Sequence, residues 1–130
     1  MNVIVTGSES QIAKNLNKNI KKIDNKKYFF FSKKELNIFN FEKTLKIVDK
    51  INPDIIINCA AYTDVKNAEL KKNKANQVNN LSLKKLSNIS NLYNSLLIHF
   101  STDYVFDGFN KNKYHENNLT NPGSYYGLTK

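Results

Sequence analysis

Short apolar runs alternate along this chain with longer segments in which apolar residues recur every three or four positions. Such runs predict buried strands, and the longer spacing predicts amphipathic helices. The predicted strands are residues 2–6, 28–31, 54–58 and 96–100. The predicted helices are residues 10–20, residues 41–51 with a start at Asn40 or Phe41, residues 74–90, and a last helix that begins near Ser124. This alternation of strand and helix predicts an α/β fold with a doubly wound parallel sheet.

The apolar positions also predict which side chains form the core. Strand 54–58 is apolar on both faces, as expected for a parallel sheet that helices cover on both sides. Residues 107–123 are polar and rich in turn signals, so we expect a loop there. The helical core contacts that the spacing predicts are Ile12, Leu16 and Ile20 in the first helix and Val78, Leu81, Leu86 and Ile89 in the third.

The charge of the chain indicates a solvated surface rather than a nucleic-acid interface. The net charge is +9, and all 20 basic residues are lysines. Interfaces that read bases usually use the bidentate guanidinium of arginine, and the lysine pairs here are dispersed along the chain. The single cysteine, Cys59, agrees with a reducing compartment. We find no apolar run long enough for a membrane span and no signal peptide, so we expect a cytoplasmic protein with no membrane partner.

Three notable segments directly follow predicted strands. Gly7 follows the first strand, residues 60–63 follow the third, and residues 101–103 follow the fourth. Ligands of doubly wound sheets bind beyond the carboxyl ends of the strands, where the strand order reverses. We therefore expect these segments to converge on one site.

The turn after the first strand is compatible with a dinucleotide phosphate site. Such a turn uses glycines for a tight bend and a close backbone approach, and the spacing from Gly7 would place two more at positions 10 and 13. Ser10 and Ala13 stand there instead. An ordinary strand–turn–helix with Ser10 as N-cap explains the segment equally well. Beyond the second strand, Lys33 and Lys34 would attract a 2′-phosphate, although chance explains two lysines in this chain as well.

The chain also carries a tyrosine and a lysine that would share one face of the last helix, Tyr126 and Lys130. A lysine ammonium near a phenol stabilises its ionised form, so the pair can exchange a proton with a carbonyl substrate. A hydroxyl from Thr102 would complete the group. Cys59 and His99 are expected to be packed rather than catalytic, and no metal-ligand spacing occurs.

Together these segments resemble the extended short-chain dehydrogenase/reductase superfamily and, within it, the dTDP-4-dehydrorhamnose reductase family. The resemblance runs in order along the whole chain. Its most specific part is the pairing of Ser101-Thr102-Asp103-Tyr104-Val105-Phe106 with Tyr126-Gly127-Leu128-Thr129-Lys130. Other matching segments are residues 2–7, 35–38, 53–63 and 78–79 and residues 99–108 as a whole.

The resemblance implies a Rossmann-like domain and the NADPH- or NADH-dependent reduction of the 4-keto group of dTDP-4-dehydro-L-rhamnose to dTDP-L-rhamnose, for surface polysaccharide. It implies that Tyr126 donates the proton, that Lys130 holds the nicotinamide ribose and supports the ionised tyrosine, and that Thr102 completes the triad. Thr102 and Asp103 would also contact the sugar nucleotide. The implied cofactor contacts are Gly7, Ser10, Gln11, Ile12, Asn37, Ile38, Ala61, Tyr62, Thr63, Phe100, Tyr126 and Lys130.

The chain departs from the family pattern at several positions. Two glycines of the phosphate turn are replaced, Asn37 stands where the family usually has Asp, and residues 66–69 read Lys-Asn-Ala-Glu instead of Asp-Lys-Ala-Glu. Family members are also much longer. We therefore expect residues 1–130 to be an incomplete NAD(P)-binding domain, with the later strands and the substrate domain beyond Lys130.

Two other functions remain open at this point. One is a non-catalytic nucleotide-binding or regulatory module of the same fold, or an inactive fragment of the reductase. The other is a nucleotide-sugar epimerase. The partner implied for the enzyme is a dTDP-sugar, and an unpaired fourth strand would make the chain liable to form a homo-oligomer.

Overall fold

The computed structural model describes residues 1–20 and 26–130, which form a parallel sheet with helices on both faces. The strands are β1 (Asn2–Thr6), β2 (Lys27–Phe31), β3 (Ile55–Asn58) and β4 (Leu96–His99). The helices are α1 (Gln11–Ile20), α2 (Phe41–Ile51), α3 (Val65–Leu70), α4 (Lys72–Asn76), α5 (Ser82–Leu92) and α6 (Tyr125–Leu128), with a π-helical segment Gln77–Leu81 and a 3₁₀ turn Asp103–Val105.

The sheet has the order β2-β1-β3-β4, and every neighbouring pair is parallel. The chain builds outward from β1 to β2 and then returns to the other side of β1 to form β3 and β4. The strand order therefore reverses between β1 and β3, and the crevice at their carboxyl ends is the expected ligand position. The predicted α/β fold with a parallel sheet is confirmed.

The core forms on both sides of this sheet because side chains alternate along each strand. Ile4 and Ile56 point to one face, and Val3 and Val5 point to the other. On the first face the buried cluster is Ile4, Leu36, Ile38, Val48, Ile56, Leu86 and Ile89. On the second face it is Val3, Val5, Ala13 and Cys59, with Leu16 packed against it.

Two predicted core contacts are wrong. Ile12 is 44% exposed, and Ala13 is the residue of α1 that is buried against the sheet. Leu81 is 45% exposed, because the buried stripe of the long helical run passes through small and polar residues. Asn79 and Ser82 occupy it, and the Ser82 hydroxyl donates to the carbonyl of Val78. The spacing of apolar residues alone therefore places Leu81 in the buried stripe, although its neighbours Asn79 and Ser82 occupy it.

The boundaries differ from the predictions mainly around short elements. The helical run predicted over 74–90 spans 72–92 in three segments, and β4 ends at His99 instead of Phe100. Helix α3 was not predicted, since only two of its residues, Val65 and Ala68, pack into a core cluster. The Asp64 carboxylate caps the start of this helix by accepting from the Asn67 N–H at 2.9 Å. Within the described residues, no helix is long and apolar enough to cross a membrane.

The fourth strand carries exposed apolar side chains. Leu96 is 59% exposed and Ile98 is 37% exposed, in keeping with the unpaired edge that the sequence predicts at this strand. β4 pairs with β3 on one side and stands at the edge of the sheet. An edge strand with apolar side chains favours association with another strand. Association through this edge stays a prediction.

Candidate functional site

A cavity of about 630 Å³ lies at the carboxyl ends of the strands. Its size falls within the range typical of small-molecule and cofactor sites. All the predicted cofactor contacts line it: Gly7, Ser10, Gln11, Ile12, Asn37, Ile38, Ala61, Tyr62, Thr63, Phe100, Tyr126 and Lys130. Segments far apart in the sequence are thus brought together at one place, as the position of the strand ends predicted. The role of each residue stays a prediction.

Gly7 sits where only glycine fits. Its φ is +65°, and an added Cβ would lie 2.6 Å from the backbone nitrogen of Ala60. The backbone after β1 therefore runs directly against the backbone after β3, which leaves the main chain itself as the wall of the cavity. Any side chain here would force the two strand ends apart.

The replacements of the other two glycines have a local explanation. The Ser10 hydroxyl accepts a hydrogen bond from the Ala13 N–H at 3.2 Å, so this side chain caps α1. Ala13 is fully buried, and its methyl group lets α1 pack closely on the sheet. The N-cap interpretation and the phosphate-turn interpretation are therefore compatible, because Ser10 caps the helix and also lines the cavity.

The segment after β3 is held by a residue that the site prediction did not include. Asn79 is 2% exposed, and its side-chain oxygen accepts from the Tyr62 N–H at 2.8 Å. Its amide nitrogen donates to the Tyr62 carbonyl at 3.1 Å and to the Thr129 hydroxyl at 3.0 Å. Asn79 thereby joins one wall of the cavity to the end of α6. The sequence carried no local signal for these contacts, because Asn79 bonds to residues 17 and 50 positions away.

Helix α6 is short, and contacts from three directions hold it in place. The Ser124 hydroxyl caps it by accepting from the Gly127 N–H at 3.1 Å. The Glu69 carboxylate on α3 accepts from the Tyr125 N–H at 2.6 Å. Gly127 packs so closely on the 3₁₀ turn that an added Cβ would lie 2.9 Å from the carbonyl carbon of Tyr104.

This arrangement buries the tyrosine of the predicted pair. Tyr126 is 8% exposed, and its ring meets the Tyr104 ring edge to face with 5.6 Å between centroids. Tyr126 also packs with Ala68 and Ala75 from α3 and α4. These contacts hold the ring on the wall of the cavity.

The Lys130 ammonium reaches back across the cavity to the end of β4. Its Nζ donates to the carbonyl of Phe100 at 2.6 Å, and burial lowers the pKa of this amine. Thr102 lies beside this contact in sequence, but neither Thr102 nor Asp103 lines the cavity. The Thr102 hydroxyl accepts from the Tyr104 N–H at 3.3 Å and lies 3.1 Å from the Asp103 carboxylate. Both predicted substrate contacts thus stand outside the cavity.

The segment after β2 carries a lysine that lines the cavity, Lys33, and a carboxylate that is hydrogen-bonded within the segment, Glu35. Lys33 lines the cavity, whereas Lys34 does not. The Glu35 carboxylate accepts from the Ser32 N–H at 2.8 Å and from its hydroxyl at 2.7 Å, and these bonds lower the pKa of Glu35. The Asn37 side-chain oxygen accepts from the Phe39 N–H at 3.1 Å, which leaves its amide nitrogen available.

A polar network in the wall of the cavity, which includes Asn58 and His99, was also missed. The Asn58 side-chain oxygen accepts from the Thr6 hydroxyl at 2.6 Å and from the Ala60 N–H at 3.2 Å. Its amide nitrogen lies 3.1 Å from the Nδ1 atom of His99. Burial, and secondly the charge of Lys130, lower the pKa of His99. Within the part of the chain that the structure describes, no group of residues is arranged to bind a metal ion.

The whole chain, residues 1–130, matches the family model described as RmlD substrate binding domain. The chain belongs to this family. It is 37% identical to a dTDP-4-dehydrorhamnose reductase from Aggregatibacter actinomycetemcomitans, over 98% of this chain and 44% of that protein. A second relative with the same name, from Burkholderia thailandensis, is 32% identical over 100% of this chain and 43% of its own length. The chain therefore spans less than half the length of these curated relatives.

Solved structures of similar proteins have the same fold. A dTDP-4-dehydrorhamnose reductase from Bacillus anthracis in complex with NADP superposes with a TM-score of 0.90 and 35% identity, over 98% of this chain and 45% of that one. A reductase ortholog from Clostridium acetobutylicum superposes with a TM-score of 0.95 and 31% identity, over 99% of this chain and 46% of that one. The predicted resemblance to this family is confirmed.

Proposed function

We propose that this chain is the cofactor-binding part of a cytoplasmic dTDP-4-dehydrorhamnose reductase, which reduces the 4-keto group of dTDP-4-dehydro-L-rhamnose with NADPH or NADH. The observation that carries the proposal is that Tyr126 and Lys130 line the same cavity as the Gly7 turn. A reductase of this family requires a proton donor and a dinucleotide-binding turn at the same end of the sheet, where the carboxyl ends of the strands meet.

The residues present fit a dinucleotide. The bare backbone at Gly7 permits close approach of a pyrophosphate, and the N-terminus of α1 offers N–H groups to an anion. Ile38 offers an apolar contact and Asn37 an amide donor for the adenine. Lys33 favours a 2′-phosphate and therefore NADPH, since the nearby Glu35 carboxylate is occupied by Ser32.

The chemistry follows from the roles that the family resemblance assigns. When bound, the cofactor would supply a hydride to the 4-keto carbon. Tyr126 donates a proton to the developing alkoxide, and the Lys130 ammonium stabilises the tyrosine once it is ionised. Thr102 holds the keto oxygen with its hydroxyl, and Asp103 contacts the sugar. Thr102 and Asp103 lie outside the cavity. We therefore assign the cavity to the cofactor and the adjacent surface, which carries Thr102 and Asp103, to the sugar nucleotide.

The proposal is tested by titrating the 130-residue chain with NADPH and with NADH while following nicotinamide fluorescence. We expect saturable binding and a preference for NADPH. Lys33→Met should weaken NADPH binding about tenfold and leave NADH binding unchanged, because one charge-assisted contact of about 1.4 kcal/mol is lost. Lys34→Met is the matched control, since Lys34 does not line the cavity. Absence of saturable binding for both nucleotides would refute the proposed function.

A further inference from the structure

The protonation state of His99 is determined by its neighbour Asn58. The Ala60 N–H is only a donor, so the Asn58 atom that faces it at 3.2 Å must be the side-chain oxygen. The Thr6 hydroxyl donates to the same oxygen. The amide nitrogen of Asn58 is therefore the atom that faces Nδ1 of His99 at 3.1 Å.

An amide nitrogen can only donate, so Nδ1 of His99 must accept and carries no proton. A neutral imidazole of this kind holds its proton on Nε2, which is buried without a partner among the described residues. An imidazolium would place an N–H on Nδ1 directly against the N–H of Asn58. The Asn58 side chain cannot rotate to relieve that clash without losing its bond from Ala60.

Burial and then the charge of Lys130 lower the pKa of His99, and a hydrogen bond with the Asn58 backbone, which raises it, offsets them only in part. The charged group that acts on it from the adjoining α6 segment is the Lys130 ammonium, and the imidazole is half-buried. Cys59, next to Asn58 on the β3 side, is uncharged at neutral pH because burial raises the pKa of its thiol. Phe100, the residue after His99, provides the carbonyl to which Lys130 donates. A charge on His99 would therefore repel Lys130 at the point where it is anchored.

We propose that His99 is a positioning residue for Lys130, which Asn58 keeps in the neutral Nε2–H form so that the ammonium stays on the Phe100 carbonyl. The inference rests on the proposed function, because the placement of Lys130 matters through its action on Tyr126. Thr6 and Asn58 then orient the imidazole of His99. The same bonds also join β1, β3 and β4 where the strand order reverses.

The first test is the ring-nitrogen NMR spectrum of the chain, which has only two histidines. We expect His99 to show a protonated Nε2 and an unprotonated Nδ1, with His115→Asn assigning the second imidazole. This measurement needs no substitution at the site. A protonated Nδ1 at neutral pH would overturn the proposal.

The second test changes the sign of the interaction. Asn58→Asp replaces the amide with a carboxylate that accepts from Thr6, from Ala60 and from an imidazolium, so the pKa of His99 should rise by about 1 to 3. As His99 becomes charged, the charge next to Lys130 changes by one unit, so the carbonyl ¹³C resonance of Phe100, to which Lys130 donates, should shift with the same pH midpoint.

The double variant Asn58→Asp, His99→Asn is the control for this experiment, because it keeps a side-chain amide at position 99 that cannot become an imidazolium. The pH dependence of the Phe100 resonance should disappear in it. A Phe100 resonance that does not follow His99 in Asn58→Asp would overturn the proposal. None of these measurements uses a nucleotide, so a failure of NADPH to bind would refute the proposed function and leave this result separate.

Discussion

Gly127 offers a test in which packing and helix propensity predict opposite signs. In a helix without close neighbours, Gly→Ala stabilises by about 0.5–1 kcal/mol. At Gly127 the new methyl group would overlap the Tyr104 carbonyl and lie 3.0 Å from Cβ of Pro122. Since the Tyr104 atoms are backbone, they cannot rotate away, and overpacking of this kind costs about 1–3 kcal/mol. We therefore expect Gly127→Ala to lower the free energy of unfolding by about 1–2 kcal/mol.

The measurement is urea unfolding followed by circular dichroism, together with amide exchange of Thr129, whose N–H donates to the Tyr125 carbonyl at 3.1 Å. Gly123→Ala is the matched control, because an added Cβ there meets nothing within 4 Å. Gly123→Ala should leave the free energy of unfolding unchanged or raise it by up to about 1 kcal/mol. If Gly127→Ala is as stable as this control and Thr129 keeps its protection, then the close packing of α6 on the 3₁₀ turn is not what holds Tyr126.

Two further predictions concern the contacts around α6. Asn79→Ala should lower the free energy of unfolding by about 2 kcal/mol, because Tyr62 and Thr129 lose buried hydrogen-bond partners. The control is Asn80→Ala at an exposed position, which should change the free energy of unfolding by less than about 0.5 kcal/mol. Equal effects of the two substitutions in urea unfolding would contradict the structural role of Asn79. Burial lowers the pKa of Lys130, so the folded protein binds that proton less tightly than the unfolded chain does. The stability of the wild type relative to Lys130→Met should therefore rise as the pH approaches the ordinary lysine value of 10.5, and a difference that is constant with pH would count against the burial of the ammonium.

Polar residues with structural roles were the main gap in the sequence prediction. Asn58, Asn79 and His99 each make a hydrogen bond to a residue 17 to 52 positions away, and nothing local in the sequence signals such bonds. The apolar pattern around them predicted the right strands and helices. It assigned Leu81 to the core because Asn79 and Ser82 were not expected to occupy the buried stripe.

The short elements escaped prediction for a different reason. Helix α3 has six residues, which is too few for a periodic pattern, and its stability comes from tertiary contacts. It nevertheless positions Tyr126, through Ala68 in the shared core cluster and through the bond from Tyr125 to Glu69. The charge change noticed at residues 66–69 therefore falls on an element that supports the site.

The sequence by itself determined the order of the strands and of the longer helices, the parallel sheet and the convergence of three strand ends. These depend on local periodicity and on rules of connection that hold for any chain with this alternation. Only the tertiary structure decided that Gly7 and Gly127 are close backbone contacts, that Lys130 is anchored on Phe100, and that Asn58 sets the proton on His99. Each of those depends on distances between residues remote in the chain, which folding fixes and a linear pattern does not contain.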